Sequence, residues 1–273
     1  MDLSITTDYA TGLGSPEPYL RRIAEAGFTH LHWCHQWNTD FLYGKPEIDQ
    51  IARWLEEYGL RLLDLHGSAG VEKKWISATE YVRLAGVELV ANRLEMTARL
   101  GGRVVIMHIP TAPADADLAE EYWSALHRSL DALAPAARAA GVRIAIENGG
   151  TEEHLQTLSQ LLPEYDAGYL GLCYDAGHGN LSGVGLDYLE RFKDRLISVH
   201  LHDNDGQSDQ HRPMFTATVD WPRLAGIMAT SGYTGPVSQE LSIRLSGFTD
   251  EDAFLAQALR DGERLTEMIA AQR

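Results

Sequence analysis

Side chains of the types that bind metal ions stand at or just after the ends of short apolar runs in this sequence. The runs are LDLH, VIMH, IAIE, LGLCYD, SVHLHD and SQEL, and the residues concerned are His66, His108, Glu147, Asp175, His178, His200, His202, Asp209, His211 and Glu240. A mixed set of His, Asp and Glu without cysteine suits Zn, Mn, Fe or Co better than Ca. If the fold gathers these run ends, we expect a divalent-metal centre.

The charges of these residues support the same chemistry. Four of them are carboxylates, namely Glu147, Asp175, Asp209 and Glu240. In one cavity they would repel each other, or some would have to stay protonated. Lysine and arginine do not supply the balance at these run ends. Divalent cations would supply it.

The elements that position these residues alternate along the chain. Eight apolar runs are predicted strands, and they cover residues 3–8, 29–34, 61–66, 103–108, 143–148, 170–175, 196–203 and 236–241. Amphipathic stretches with apolar residues at three- and four-residue spacing lie between them. Phrases such as EYGLRL and AAGVRI place a glycine where a helix would end and a buried strand would begin.

Eight such units without a GxGxxG fingerprint after the first strand favour a closed (β/α)8 TIM barrel over a doubly wound sheet. No linker composition divides the chain, so residues 1–273 are predicted to form a single domain. In a TIM barrel the carboxyl ends of all strands meet at one mouth, where active sites lie. The candidate ligands would therefore become neighbours.

The remaining histidines and the tryptophans have different expected roles. His200 and His202 are two residues apart and face the same side of a strand, so one can be a ligand and the other either a residue that supports the ligands or a substrate contact. The histidines of the second strand and its loop lack an acidic partner nearby in sequence and are not expected at the metal; they are His30, His32 and His35. His127 and His154 are expected at the surface. Three tryptophans could form a substrate wall or pack in the core, and these are Trp33, Trp37 and Trp75.

Composition excludes several classes of protein. The chain has 39 acidic and 23 basic residues and a formal charge of −16, which argues against nucleic acid and anionic membranes as partners. No apolar run approaches the ~18 residues of a membrane span. The N-terminal residues MDLSITTDYA lack the basic start and apolar core of a signal peptide. Two cysteines, Cys34 and Cys173, are too few for a disulfide framework, and a cytoplasmic location is expected.

The motifs IAIEN, CYDAGH, HLHD followed by DQH, and SQELS resemble those of the xylose isomerase-like TIM-barrel superfamily over nearly the whole chain. That group contains sugar and sugar-phosphate isomerases and epimerases, inosose-processing enzymes and endonuclease IV. In its epimerase branch one metal is held by residues from strands five to eight. The resemblance places them on Glu147, Asp175, His200 and Glu240. HLHD matches the His-x-x-acid pattern from His200, although HDND also matches from His202.

Endonuclease IV binds three zinc ions with a wider ligand set. The residues that resemble its remaining ligands are His66, His108, His178, Asp209 and His211. After His108, however, IPTAP replaces a loop that contains glycine and histidine, and no basic or aromatic loops for a duplex are evident. The number of ligands therefore favours the nuclease branch, whereas the loops and the charge favour the epimerases.

The resemblance implies a divalent-metal-dependent isomerase or epimerase of a small sugar, sugar phosphate or inosose-like polyol. Glu147 and Glu240 would transfer a proton through a metal-stabilised enediolate. Three residues are expected to contact substrate, namely His178, His202 and, at a phosphate or carboxylate, Arg212; His211 would also orient substrate oxygens. The expected cofactor is Mn, Zn, Co or Mg, as one ion or as two or three, and a homo-oligomer is plausible. The alternatives are an endonuclease IV-like zinc phosphodiesterase and a non-catalytic metal- or ligand-binding barrel.

Overall fold

The computed structural model describes residues 1–10 and 14–273, in which strands and helices alternate. The strands are β1 (Leu3–Thr6), β2 (His30–Trp33), β3 (Arg61–His66), β4 (Val104–Met107), β5 (Arg143–Glu147), β6 (Leu170–Asp175), β7 (Leu196–His200) and β8 (Val237–Gln239). The helices are α1 (Glu17–Glu25), α2 (Lys45–Tyr58), α3 (Glu80–Arg99), α4 (Ala116–Ala140), α5 (Glu152–Leu161), α6 (Ala176–Ser182), α7 (Gly185–Phe192), α8 (Trp221–Thr230) and α9 (Glu251–Ala270). Among these described helices, none is both long enough and apolar enough to cross a bilayer.

The strands form one parallel sheet that closes on itself. Neighbouring strands follow chain order from β1 to β7, and β8 pairs with β1. Between β7 and β8, the backbone N–H of Leu201 donates to the carbonyl of Ser238 at 2.9 Å, and that of Glu240 donates to Leu201 at 3.2 Å. These bonds close the ring, which confirms the predicted (β/α)8 barrel. Closure brings the end of β8 beside the end of β7.

The predicted glycine ends of helices are confirmed at two of the quoted phrases. α2 ends at Gly59 with φ of 66°, and α4 ends at Gly141 with φ of 65°. This left-handed conformation suits glycine because it has no Cβ. Several strands are shorter than predicted, since β7 ends at His200 and β8 at Gln239. Glu240 and His202 therefore stand just beyond the strands, at the rim of the barrel.

Two layers of buried side chains hold the barrel together. The larger layer lies between the sheet and the helices and contains Leu31, Leu65, Leu94, Ile144 and Leu172. A small cluster fills the barrel interior and consists of Val104, Ile106, Ala145 and Cys173. Both thiols of the chain are free and buried. The interior above the small cluster is polar, and the candidate site lies there.

Helix α3 packs closely on the loop before it at Gly86, where a Cβ would overlap the backbone of Lys74 and Trp75. We expect Gly86→Ala to lower the free energy of unfolding by about 1–3 kcal/mol, because backbone atoms cannot move aside as a side-chain tip can. Urea denaturation measures the change. Gly232→Ala is the matched control, since a Cβ there meets nothing within 4 Å. Equal stabilities of the two variants would contradict the expectation.

Candidate metal centre

Four of the predicted ligands come together at the mouth of the barrel. Glu147, Asp175 and His200 are the last residues of β5, β6 and β7, and Glu240 follows β8 directly. One ligand atom from each of the four lies within 4.8 Å of the others. The first three are fully buried, whereas the Glu240 side chain is 13 % exposed. The carboxyl ends of adjacent parallel strands bring these residues together although they are distant in sequence.

The structure distinguishes His200, the last residue of β7, from His202, which follows it. His200 Nδ1 lies 2.9 Å from an oxygen of Glu147 and 2.9 Å from an oxygen of Glu240. His202 Nε2 instead lies 3.1 Å from Asp175 Oδ2, and its ring stacks on His211 with centroids 4.1 Å apart. His202 is fully buried. It contacts Asp175 and also groups with His211 and Glu240, with one ligand atom of each within 4.8 Å of the others, and its predicted contact with substrate stays a prediction.

A second group of candidate ligands adjoins the first through Glu147. His66 and His108 approach each other with their Nε2 atoms 3.2 Å apart. Their Nε2 atoms lie 3.6 and 3.7 Å from Glu147 Oε2. These three residues also meet the spacing that a metal ion requires. Glu147 thus stands between two groups of donors, which share its Oε2 atom, while its Oε1 atom lies 3.3 Å from His178 Nδ1.

A third cluster surrounds Asp209 in the loop after β7. His178 and His211 each approach Asp209 Oδ2 through Nε2, at 3.4 and 3.1 Å. Their Nδ1 atoms lie 2.9 Å from the backbone carbonyls of Asn148 and Glu240. A carbonyl can only accept, so Nδ1 carries the proton and Nε2 presents a lone pair when the ring is neutral. This arrangement matches that of metal-binding histidines, whose second nitrogen is held by the protein.

The two glutamates of the centre are ionised. Burial by itself would raise the pKa of Glu147, but His108 and His200 bring it well below its usual value. Burial opposes the same effect at Glu240, whose pKa is also brought well below normal by His200. The pKa of His200 is raised well above its usual value; burial alone would lower it, but Cys173 and the two glutamates outweigh that effect. Within the described residues, the ion pairs of Glu147 and Glu240 come from histidines alone.

The donor set fits a divalent cation. Within the described residues, several buried atoms have no hydrogen-bond partner, and they include Glu147 Oε2, His66 Nδ1 and both ring nitrogens of His200. Buried polar atoms are nearly always paired, so such a concentration of unpaired ones at one place requires a partner. Burial first, and then His108, lower the pKa of His66 well below normal. His66 is therefore neutral and has a lone pair for a cation.

His32 belongs to the same polar cluster, contrary to the expectation for the second strand. It is fully buried, and its Nδ1 lies 2.7 Å from Asp64 Oδ1. The other carboxylate oxygen of Asp64, Oδ2, accepts from the hydroxyl of Ser198. His32 Nε2 has no partner among the described residues and groups with His66, His200 and Glu240. The acidic partner lies opposite it on β3, in the register His32–Asp64. Inward alternation of Asp64 and His66 in RLLDLH was the signal that could have revealed this pair.

The tryptophans have different positions. Trp33 and Trp75 are core residues with 1 % exposure each, whereas Trp37 is 37 % exposed. The ring of Trp37 lies over His66 with centroids 4.7 Å apart and an interplanar angle of 32°. It is the tryptophan of the three that can form a wall of the mouth.

Three further residues with sequence-based expectations are His154, His127 and Arg212. His154 is buried, not at the surface, because its ring bridges the Gly149 amide and the Ile109 carbonyl in neighbouring loops. His127 pairs with Glu164 on the outer side of the barrel, as expected. Arg212 is half-buried next to His211, and its guanidinium approaches the Thr216 carbonyl at 3.5 Å.

Comparison with known proteins agrees with this architecture. Residues 20–260 match the family described as xylose isomerase-like TIM barrel. The uncharacterized protein y4fM of Sinorhizobium fredii is 30% identical over 92% of this chain and 88% of its own length. The crystal structure of a D-tagatose 3-epimerase-like protein has a TM-score of 0.77 at 20% identity and covers 100% of this chain and 98% of its own. The 3-keto-D-glucoside 4-epimerase YcjR of E. coli has a TM-score of 0.75 at 20% identity, with 97% and 99% covered.

Divalent cations should stabilise this protein against heat. A cation that binds only the folded chain adds about 2.7 kcal/mol when its concentration is 100 times its Kd. We expect the Tm of EDTA-treated protein to rise when Zn²⁺ or Mn²⁺ is added, and differential scanning fluorimetry measures the rise.

His200→Gln should remove most of this increase in Tm, because it takes away the nitrogen between the two glutamates. His127→Gln is the matched control, since it removes a histidine–glutamate pair outside the site. An unchanged Tm of the wild-type protein with both metals would show that the site does not bind these cations.

Proposed function

Since the chain belongs to the xylose isomerase-like TIM-barrel family, we propose that it is a divalent-metal-dependent isomerase or epimerase of a small sugar, sugar phosphate or inosose-like polyol. The observation that carries the proposal is the meeting of Glu147, Asp175, His200 and Glu240 within 4.8 Å at the barrel mouth. Sugar epimerases are among the solved structures with this fold. Their substrates support a sugar or polyol for this chain.

The four residues would hold Mn, Zn, Co or Mg. When bound, such a cation stabilises the negative charge that develops on adjacent carbonyl and hydroxyl oxygens as a proton leaves the neighbouring carbon. The ligand types fit this range, because carboxylates suit Mn and Mg and the imidazole also suits Zn and Co.

Glu147 and Glu240 would move the proton. Both have a pKa well below normal, where histidine neighbours outweigh the effect of burial, so each is ionised and able to accept a proton. They come from β5 and from the end of β8, and an oxygen of each lies 2.9 Å from His200 Nδ1. One carboxylate would take the proton from a substrate carbon between them. The other glutamate, after taking a proton from solvent, would return a proton to the substrate. Epimerisation requires this transfer between faces, and isomerisation requires transfer between adjacent carbons.

Other residues of the mouth would orient the substrate. His178 and His211 have side chains that are 18% and 29% exposed, and backbone carbonyls hold both rings in place. Their Nε2 atoms can contact substrate hydroxyl groups. Trp37 offers an apolar face beside His66, against which the C–H face of a sugar could pack. Arg212 would contact a phosphate or carboxylate if the substrate carries one.

The enzyme would work in the cytoplasm on a small molecule. The two free, buried cysteines are compatible with a reducing cytoplasm. The partner would be a small sugar or polyol, and a homo-oligomer remains part of the proposal.

Glu240→Gln tests the proposed proton transfer. The amide keeps the shape of the side chain but cannot accept the proton, so turnover should fall by at least about 100-fold, the range of general acid–base catalysis. The measurement is solvent deuterium uptake into a sugar carbon during incubation of metal-replete protein with a panel of ketoses and inososes.

Glu164→Gln provides the control, because Glu164 pairs with a histidine on the outer side of the barrel. It should leave deuterium uptake unchanged. If Glu240→Gln and the wild-type protein exchange at the same rate, Glu240 has no part in the proton transfer.

A second candidate function has specific support in the extra donors. His66 and His108 adjoin Glu147, and His178 and His211 adjoin Asp209, so the mouth could hold more than one ion. Two or three zinc ions would suit a phosphodiesterase of the endonuclease IV type, in which cations stabilise the attacking and leaving oxygens. The charge of −16 opposes binding to a nucleic-acid duplex.

Metal content separates the two candidates. We expect about one tightly bound ion per chain and no salt-sensitive binding to a duplex with an abasic site. Elemental analysis of the dialysed protein and a DNA-binding titration at two salt concentrations measure these properties. Two or three zinc ions per chain, together with cleavage of the duplex, would favour the phosphodiesterase.

A further inference from the structure

A large cavity lies at the opposite end of the barrel from the metal centre. Its volume is about 650 Å³. Its lining includes the amino ends of strands and the loops before them, with Arg61 of β3, Arg103 before β4 and Arg143 of β5, and also parts of α2 and the end of α3. The loop between α8 and β8 contributes residues 232–235. We call this cavity the floor cavity.

The charge of the floor cavity is opposite to that of the whole chain. Its ionisable lining residues are all basic apart from the phenol of Tyr233, and they are His30, Arg61, Arg99, Arg103 and Arg143. No aspartate or glutamate is among the lining residues that the structure describes. The chain as a whole has 39 acidic and only 23 basic residues. Arginines without a lining carboxylate therefore form a local reversal of charge.

Most of these arginines have no partner inside the protein. Arg99 pairs with Asp49. Over residues 1–10 and 14–273, the guanidinium groups of Arg61, Arg103 and Arg143 make neither an ion pair nor a hydrogen bond. Burial lowers the pKa of Arg143, which is half-buried at the start of β5. An arginine in such a position is stabilised by an anion that accepts from its fork of N–H groups.

The walls between the arginines are apolar. Leu62, Leu100 and Ile197 line the cavity beside the guanidinium groups. A purely inorganic anion would leave these side chains in contact with water, whereas an organic anion could cover them. The lining therefore combines recognition of negative charge with a surface for a carbon skeleton.

We propose that the floor cavity binds a small organic anion of the phosphate-ester class with at least two negative charges. Arg61, Arg103 and Arg143 contact its phosphate oxygens, and the apolar wall covers its organic part. Chemistry in a TIM barrel takes place at the other end, so this site is not catalytic. It gives the protein a binding site for a phosphorylated metabolite that is independent of the substrate.

Calorimetric titration of the full-length protein with ADP tests the proposal, with inorganic pyrophosphate as the probe that lacks an organic part. The wild-type protein should bind ADP more tightly than pyrophosphate. Arg103→Gln and Arg143→Gln should each weaken ADP binding about tenfold, as expected for loss of one charge-assisted contact. Circular dichroism and Tm establish that both variants are folded.

Two controls show where the probe binds. Arg260→Gln removes an exposed arginine that donates to Gln257 on α9, away from the cavity lining, and it should leave ADP affinity unchanged. His200→Gln alters the metal centre at the opposite end and should also retain ADP binding. Absence of ADP binding, or equal affinity of wild-type, Arg103→Gln and Arg143→Gln proteins, would overturn the proposal. So would loss of binding in His200→Gln alone, because the phosphate would then be at the metal centre.

Discussion

The structure depends on the burial of several charged and polar groups at one end of a parallel barrel. Glu147 and Asp175 are almost completely removed from water, yet no lysine or arginine forms an ion pair with either in the described part of the chain. Burial of an unpaired carboxylate is very costly, so the balance must come from nearby positive charge. Histidines supply part of it, and their arrangement leaves room for a cation to supply more. The low pKa of Glu147, in spite of its burial, results from this surrounding of imidazoles.

A second set of contacts, from side chains and backbone groups around the candidate ligands, keeps this arrangement rigid. Ser198 donates to Asp64, whose other oxygen pairs with His32, and His202 pairs with Asp175. Backbone carbonyls pair with His178 and His211. Each contact sets the direction in which a ring nitrogen points. Ligands that are fixed in advance lose little conformational entropy when a cation or substrate binds. Much of the polar interior of the barrel therefore serves the mouth and contributes little to hydrophobic stability.

The two ends of the barrel have opposite electrostatic character. Carboxylates and histidines converge at the carboxyl ends of the strands, whereas arginines without lining carboxylates surround the cavity at the amino ends. The hydrophobic cluster of Val104, Ile106, Ala145 and Cys173 lies in the interior between them. This separation lets one fold present a surface for cations and a surface for anions without mutual neutralisation. A net charge of −16 averages over both and reveals neither.

The sequence by itself determined the alternation of strands and helices, the closed barrel and the residue types at the strand ends, because hydrophobic periodicity and glycine helix ends are local signals. The barrel rule also assigned the candidate ligands at the strand ends to one mouth, and the resemblance to the family then selected Glu147, Asp175, His200 and Glu240 among them. Only the tertiary structure decided that His200 and not His202 lies between the two glutamates, and that Trp37 and not Trp33 or Trp75 faces the mouth. The tertiary structure also places the partner of His32 on a neighbouring strand and brings the arginines of the floor cavity together. These outcomes depend on strand register and on the directions of side chains after the barrel closes, and both arise from contacts between residues far apart in the chain.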